Sequence, residues 1–318
     1  MKELAAVFAG ILSIGTAFSA DPYPTRPIRM IVGFAPGGGT DLTARPVAQK
    51  LSELLGQQVI VENRPGAGGN IATEQVARAA PDGYTLLMGT IASLAINPSL
   101  YGNLRFDPET DLAPVIQVVD ATNVLALHPS VPANSVKELI ALAKEKSLSA
   151  GSSGVGATGH LAIELFNLMT GVKLVHVPYK GGGPAMSDLV GGQVNLIFAT
   201  AASAVPHLKS GRIKGIAVTT AKRSALLPDL PTIAEAGLAG FDANNWYGLV
   251  VPAKTPRAII DQLNAEVTRI LAMPDVKTAL FNQGLDAAPG TPEQFGAYIK
   301  SERAKWARVI KESGAKAE

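Results

Sequence analysis

A glycine-rich loop between an apolar run and an amphipathic segment constrains this sequence more than any other feature. Residues 28–32 are apolar and partly β-branched, and apolar residues recur at helical spacing over 42–55. Between them, residues 33–41 read GFAPGGGTD. This order predicts a strand, a tight loop and a helix that Thr40 or Asp41 caps. Glycines let the backbone approach a ligand, and a helix N-terminus favours an anion; the alternative is a capping turn that binds nothing.

The same order of elements recurs in both halves of the chain. The predicted strands are 28–32, 58–63 and 84–89 in the first half, and 148–151, 173–177 and 194–199 in the second. Helical patterns alternate with these strands, which predicts an α/β fold with doubly wound parallel sheets. Ligands bind such sheets at the carboxyl ends of the strands, so we expect the loops 33–41, 63–70 and 89–93 to lie side by side.

Two segments are predicted to connect two α/β domains through a hinge. The apolar stretch 112–127 leads out of the first domain, and the strand 212–219 leads back. The predicted division is residues 21–121 with 225–318 for domain 1, and 122–224 for domain 2. A chain of 318 residues is long enough for two domains that each bury a core. The hinge is expected near 114–127 and 215–225, where the βα pattern is interrupted.

Residues 1–20 are predicted to be a secretory signal peptide. An uncharged apolar run over 4–18 ends in small residues, which places the cut after Ser19 or Ala20. The alternative is a buried N-terminal helix, which the prolines at 22, 24 and 27 would end at once. The chain contains no cysteine, and an exported chain without cysteine fits the bacterial periplasm.

Charge and residue chemistry argue against several classes of function. The net charge is +2, and no block of lysine or arginine precedes the C-terminal helix, so we expect no nucleic-acid partner. No histidine pair has metal-ligand spacing and no nucleophile motif is present, so we expect no metal, no cofactor and no enzyme. Residues 154–159 match the dinucleotide fingerprint, but the next strand lacks its acidic residue. The same loop still suits an anion.

Several single residues have two interpretations. His160, in the first turn of a predicted helix, either contacts a ligand or orders the loop before it. Asp41 and Asp188 are interpreted as helix caps or loop braces. The residues that either line a cleft or pack in the core are Tyr179, Thr200 and Trp246.

Together these motifs resemble the solute-binding receptors of tripartite tricarboxylate transporters, also called Bug receptors. The resemblance rests on PTRPIR at 24–29, FAPGGGTD at 34–41, VENRPGAGG at 61–69, DGYTL at 82–86, SSGVG at 152–156, VPYKG at 177–181 and WYGL at 246–249. It covers essentially the whole chain after the predicted signal peptide.

The resemblance implies a two-domain periplasmic binding protein of the type II, Venus-flytrap kind. Such a receptor closes on a small organic anion, here a di- or tricarboxylate, an amino acid or an aromatic acid. It implies a monomer that presents this ligand to membrane permease subunits; an exported enzyme or signalling receptor for a similar acid is the alternative. The implied ligand-binding residues are Phe34, Gly37, Gly38, Gly39, Thr40, Asp41 and Ser93, then Ser152, Gly154, Gly156, Ala157, Thr158, His160, Tyr179 and Thr200, with Trp246.

Overall fold

The structure is a computed structural model that describes residues 23–317. The predicted signal peptide, residues 1–20, lies outside these residues. The strands are β1 (Ile28–Val32), β2 (Val59–Asn63), β3 (Thr85–Thr90), β4 (Leu112–Ala121), β5 (Asn123–Leu127), β6 (Ser149–Ser152), β7 (Val175–Pro178), β8 (Leu196–Thr200), β9 (Lys214–Val218), β10 (Asn245–Pro252) and β11 (Leu285–Ala287). They form two separate sheets, so the chain has the two α/β domains that the sequence predicts.

The helices include those that the sequence predicts between the parallel strands. They are α1 (Gly39–Leu55), α2 (Asn70–Ala77), α3 (Asn97–Leu100), α4 (Pro108–Asp111), α5 (Val136–Glu145), α6 (Thr158–Thr170), α7 (Gly182–Val190), α8 (Ala201–Lys209), α9 (Arg257–Ala272), α10 (Pro274–Phe281) and α11 (Pro292–Ser313). Over residues 23–317, none of these helices is both long enough and apolar enough to cross a membrane.

Both sheets have the same strand order from one edge inward. The first runs β11-β4-β10-β3-β1-β2 and the second runs β7-β6-β8-β5-β9. In the first sheet the parallel strands β2, β1 and β3 are followed by the antiparallel strand β10. In the second sheet the parallel strands β7, β6 and β8 are followed by the antiparallel strand β5. The loops after β1, β3, β6 and β8 therefore leave from the carboxyl ends of neighbouring strands, where the doubly wound arrangement places a ligand.

Alternation along the strands of the first sheet places apolar residues on both faces. Met30 and Leu86 pack in one core cluster with α1 and α9, whereas Ile31 and Leu87 pack in another with α2 and α11. Successive side chains of a strand point to opposite faces, so a sheet that is apolar throughout needs helices on both sides.

The predicted crossing segment is divided between the two sheets. Residues 112–127 form β4 in the first sheet and β5 in the second, with Thr122 between them. The chain returns through residues 219–244, which connect β9 to β10.

The domains also touch along a line that we call the interdomain seam, formed by residues 35–38 of the first domain and 180–183 of the second. The backbone N–H of Ala35 donates to the carbonyl of Lys180 at 3.1 Å. Beyond the seam, the hydroxyl of Tyr101 donates to the carbonyl of Val155 at 3.1 Å. These hydrogen bonds join the two domains in a closed arrangement around the space between the sheets.

Candidate anion-binding cleft

A cavity of about 50 Å³ lies between the two domains. The first domain lines it with Phe34, Gly38, Gly39, Thr40, Thr90, Ala92, Asn245 and Tyr247. The second domain lines it with Asn123, Ser153, Ala157, Thr158, Gly159, Gly182, Ile197, Phe198, Ala199, Thr200 and Ser203. None of these residues is charged, and the described chain has no group of three acidic or histidine side chains placed to hold a metal.

Four helices begin at the wall of this cavity. Gly39 opens α1 in the first domain, while in the second domain Thr158 opens α6, Gly182 opens α7 and Thr200 precedes α8. The first N–H groups of a helix have no partner within the helix, and its N-terminus carries a partial positive charge. The walls therefore attract an anion through backbone dipoles from both domains.

Hydroxyl groups from both domains meet beside the start of α1. The hydroxyl of Tyr247 accepts from the Asn245 side-chain amide at 3.0 Å and is within hydrogen-bond reach of Thr40 and Thr200. A Cβ atom on Gly39 would lie 2.6 Å from the Tyr247 hydroxyl, so only glycine fits there. Burial raises the pKa of Tyr247, which keeps its hydroxyl protonated and able to donate.

A carboxylate fixes the first loop from behind. The sequence predicts that Thr40 or Asp41 caps α1, but Gly38 is the N-cap and makes no side-chain hydrogen bond. Asp41 instead accepts from the Gly37 backbone N–H at 3.1 Å and from Arg45, and Asn63 donates to it at 2.9 Å. Burial opposes ionisation of Asp41, but these hydrogen bonds lower its pKa overall. The loop-brace interpretation of Asp41 is therefore confirmed, and the capping interpretation is wrong.

A pair of stacked histidines fixes the second loop in the same way. The His160 and His176 rings stack with centroids 4.2 Å apart, and Nε2 of His176 lies 2.6 Å from the Ser152 hydroxyl. Nδ1 of His160 accepts from the Gly156 backbone N–H at 3.2 Å. Burial lowers the pKa of His160 to about 4, so this nitrogen is unprotonated at neutral pH. His160 thus orders the loop, as one of its two interpretations predicts.

The predicted site residues separate into those on the cavity wall and those behind it. The residues on the wall are Phe34, Gly38, Gly39, Thr40, Ala157, Thr158 and Thr200. Those that the structure places off the wall are Gly37, Asp41, Ser93, Ser152, Gly154, Gly156, His160, Tyr179 and Trp246. Ser93 is buried and hydrogen-bonds Thr90, which itself faces the cavity.

Trp246 lies in the core rather than in the cleft. Its indole is fully buried and packs edge-on against Phe295 and obliquely against Tyr298, on the side of α11. Tyr247, the next residue along β10, faces the cavity instead. Adjacent residues of a strand point to opposite faces, so only one of this aromatic pair can reach the ligand space.

Gly154 and Tyr179 line a second cavity of about 330 Å³ beside the first. Phe34 and Ser153 border both cavities. The Tyr179 hydroxyl donates to Asp188 at 2.7 Å, which makes Asp188 a brace for this loop.

Sequence reasoning missed the polar residues that the sheets contribute. Asn123 comes from the start of β5, Asn245 and Tyr247 from β10, and Ser203 from the first turn of α8. No loop motif marks these positions. The one sequence signal that could have identified these residues is their position near the end of a strand, because parallel sheets bind ligands there.

Comparisons with known proteins place this architecture in a family. The profile of the tripartite tricarboxylate transporter family receptor matches residues 43–315. The protein BugT of Bordetella pertussis is 39% identical over 313 residues, which cover 98% of this chain and 96% of BugT. Among solved structures, an R. palustris protein with adipate has a TM-score of 0.89 at 40% identity, covering 92% of this chain and 98% of its own. MatC from Rhodopseudomonas palustris with bound malate has a TM-score of 0.87 at 33% identity, covering 91% of this chain and 100% of its own.

Proposed function

This chain belongs to the tripartite tricarboxylate transporter receptor family, and we propose that it captures a small carboxylate in the periplasm for a transporter of that type. The observation that carries the proposal is the cavity wall, where four helix N-termini meet without any charged side chain. Each N-terminus is equivalent to roughly half a positive charge. Because these charges are fixed in the backbone, they suit a carboxylate, whose two oxygens accept from N–H groups and hydroxyls.

Two features support a short dicarboxylate as the ligand. The N-termini of α1 and α6 belong to different domains, so one carboxylate at each would hold the domains together. The cavity of about 50 Å³ also favours a malate-sized acid over a citrate-sized one, since one water needs about 10–15 Å³ on this measure. The solved relatives with malate and with adipate both carry dicarboxylates.

The same proposal assigns roles to the two domains. Residues 21–121 with 225–318 and residues 122–224 move as two bodies about the connections at Thr122 and 219–244. Closure buries the acid between them, and the closed monomer is the form that the permease subunits receive. Export through the predicted signal peptide of residues 1–20 would bring the chain to the periplasm.

A panel of acids tests this function directly. The purified mature chain is titrated by calorimetry with succinate, malate, adipate, citrate, aspartate and benzoate, and acid carried through purification is identified by mass spectrometry. We expect saturable binding of at least one dicarboxylate and a higher unfolding temperature with it. NMR of the bound acid should show no product; turnover would support the exported-enzyme alternative, and failure of every acid to bind would contradict the receptor.

A further inference from the structure

We propose that the acid reaches the cleft through the second cavity, where the ammonium group of Lys180 is an encounter site for its carboxylate. This inference rests on the proposed capture of a carboxylate and adds the path by which that acid arrives. The second cavity has a volume of about 330 Å³, against about 50 Å³ for the first, and the two share Phe34 and Ser153. An acid in the second cavity is therefore next to the site that finally holds it.

The wall of the second cavity extends from solvent to the buried interior. Ala67 of the first domain and Pro178 and Lys180 of the second are exposed wall residues, and they mark its mouth. Phe34 and Gly154 are buried wall residues, and Phe34 also borders the first cavity. The second cavity thus opens to solvent at one end and meets the wall of the first cavity at the other.

The charge at this mouth comes from one side chain. Among the residues that line the second cavity in the described chain, Lys180 alone is charged. Its ammonium group makes no ion pair or hydrogen bond within residues 23–317. Arg64, two residues before the wall residue Gly66, instead pairs with Glu62 at 3.0 Å. An unpaired cation at the mouth of a cleft raises the local concentration of an anion and speeds its association.

The interdomain seam fixes the backbone of Lys180 but leaves its side chain free. The carbonyl of Lys180 accepts from the Ala35 backbone N–H at 3.1 Å when the domains are closed. Because this hydrogen bond uses the main chain alone, a substitution of the Lys180 side chain keeps it. A change of charge at this position therefore tests the attraction of the acid separately from closure.

A third cavity, beyond the other end of the seam, offers a second opening without such a charge. It has a volume of about 450 Å³, is bordered by Gly37 and Gly183, and shares Ser203 with the first cavity. Of the described residues, those that line it include no lysine, arginine, aspartate or glutamate. Burial lowers the pKa of His207 on its wall, so this ring is mostly uncharged at neutral pH. The electrostatic difference between the two openings favours entry of an anion through the second cavity.

Three variants that each lower the net charge by one test this path. Lys180→Gln removes the cation at the second cavity, and Ser187→Glu adds an anion at the third. Lys137→Gln removes an exposed cation of α5 that lines neither cavity. Stopped-flow mixing measures the association and dissociation rate constants with succinate, malate or adipate, whichever binds the wild type most tightly.

The expected effect is on association and depends on salt. At about 0.1 M salt, where the Debye length is about 10 Å, Lys180→Gln should slow association by about 3–5-fold and leave the dissociation rate constant unchanged. Ser187→Glu and Lys137→Gln should stay within about 1.5-fold of the wild type. Lys180→Arg keeps the charge and should keep the wild-type rate. At about 1 M salt the difference between wild type and Lys180→Gln should disappear.

The outcomes separate this inference from the proposed function. If no acid of the panel binds, the receptor function itself fails. If an acid binds but Lys180→Gln associates at the wild-type rate, or Ser187→Glu slows association as much as Lys180→Gln does, entry past Lys180 is refuted while the receptor function stands. A loss that appears only in the dissociation rate constant also overturns the encounter site, because it would place Lys180 in contact with the bound acid. Association with the wild type should itself slow between about 0.1 M and about 1 M salt, so a rate independent of salt refutes the inference without any variant.

Discussion

A single methyl group at the interdomain seam should weaken ligand binding without weakening the fold. Gly183 lies in the first turn of α7 and faces the other domain. A Cβ atom there would lie 2.5 Å from the carbonyl oxygen of Pro36, closer than the roughly 3.0 Å that packed atoms tolerate. The Gly183→Ala variant can therefore close only if the seam opens by about half an ångström.

Opening the seam should lower the stability of the closed state by an amount that can be estimated. The hydrogen bond from Ala35 to Lys180, now 3.1 Å long, would stretch to about 3.6 Å, at which it is no longer a hydrogen bond. Losing one neutral hydrogen bond and some contact across the seam costs about 1–2 kcal/mol of closed-state stability. Affinity for the acid should fall by about 5–30-fold, since ligand binding is coupled to closure.

The second domain should become more stable at the same time. Alanine is favoured over glycine inside a helix by about 0.5–1 kcal/mol, so the ligand-free variant should unfold at the same or a higher temperature. Calorimetric titration with the acid and thermal unfolding without it measure the two effects. Gly191→Ala is the matched control, because its new Cβ would lie 3.4 Å from the nearest atom, in its own helix. Wild-type affinity in Gly183→Ala would refute the idea that this seam forms in the bound state.

Three further predictions concern motion, charge and pH. Saturating acid should reduce the radius of gyration in X-ray scattering, and an unchanged radius would count against closure. The Gly38→Val variant should lower affinity for the acid more than tenfold, because its Cβ would lie 3.3 Å from the Gly182 backbone nitrogen. The Arg64→Ala variant should change affinity less than about threefold, because Arg64 pairs with Glu62. A larger loss in Arg64→Ala than in Gly38→Val would indicate an ion pair between Arg64 and the ligand. Burial lowers the pKa of His160 and of His176 to about 4, below the unfolded value near 6.5. Protonation therefore favours the unfolded chain, and the unfolding free energy should fall from pH 6.5 to 4 by about 2.5 kcal/mol for each of the two histidines in urea titrations. The His160→Gln variant should lose less stability over this range, and a wild-type profile no steeper than that of the variant would contradict this assignment.

The parts of the fold that were predictable are those whose signals are local. A β-branched run, a glycine loop and a helical spacing are each recognised within a few residues, and their repetition predicts two α/β domains. The prediction that Thr40 or Asp41 caps α1 failed because the same glycine-rich sequence is compatible with several loop conformations. Gly37 takes a positive φ of 82°, whereas Gly38 at φ −87° acts as the N-cap, and only the folded loop distinguishes them.

The parts of the site that were not predictable depend on pairings between distant segments. Which of Trp246 and Tyr247 faces the cavity is set by how β10 pairs with β3 and β4, and a shift of one residue would exchange them. Asn123 reaches the wall because the chain enters the second domain after Thr122 and β5 pairs there with β8. Neither pairing has a signal in the neighbouring sequence.

Some residues that were predicted to bind the ligand lie behind the cavity wall instead. They show how the loops of a cavity without charged side chains are held in a shape that suits an anion. Asp41 fixes the first loop through the Gly37 N–H, and His160 fixes the second through the Gly156 N–H. Each acceptor is held in turn, Asp41 by Arg45 and His160 by its stacking on His176. Charged and titratable groups thus fix the backbone from behind the wall, and uncharged groups, the N–H groups and hydroxyls, line the cavity itself. Substituting these supports should therefore weaken binding of all acids together.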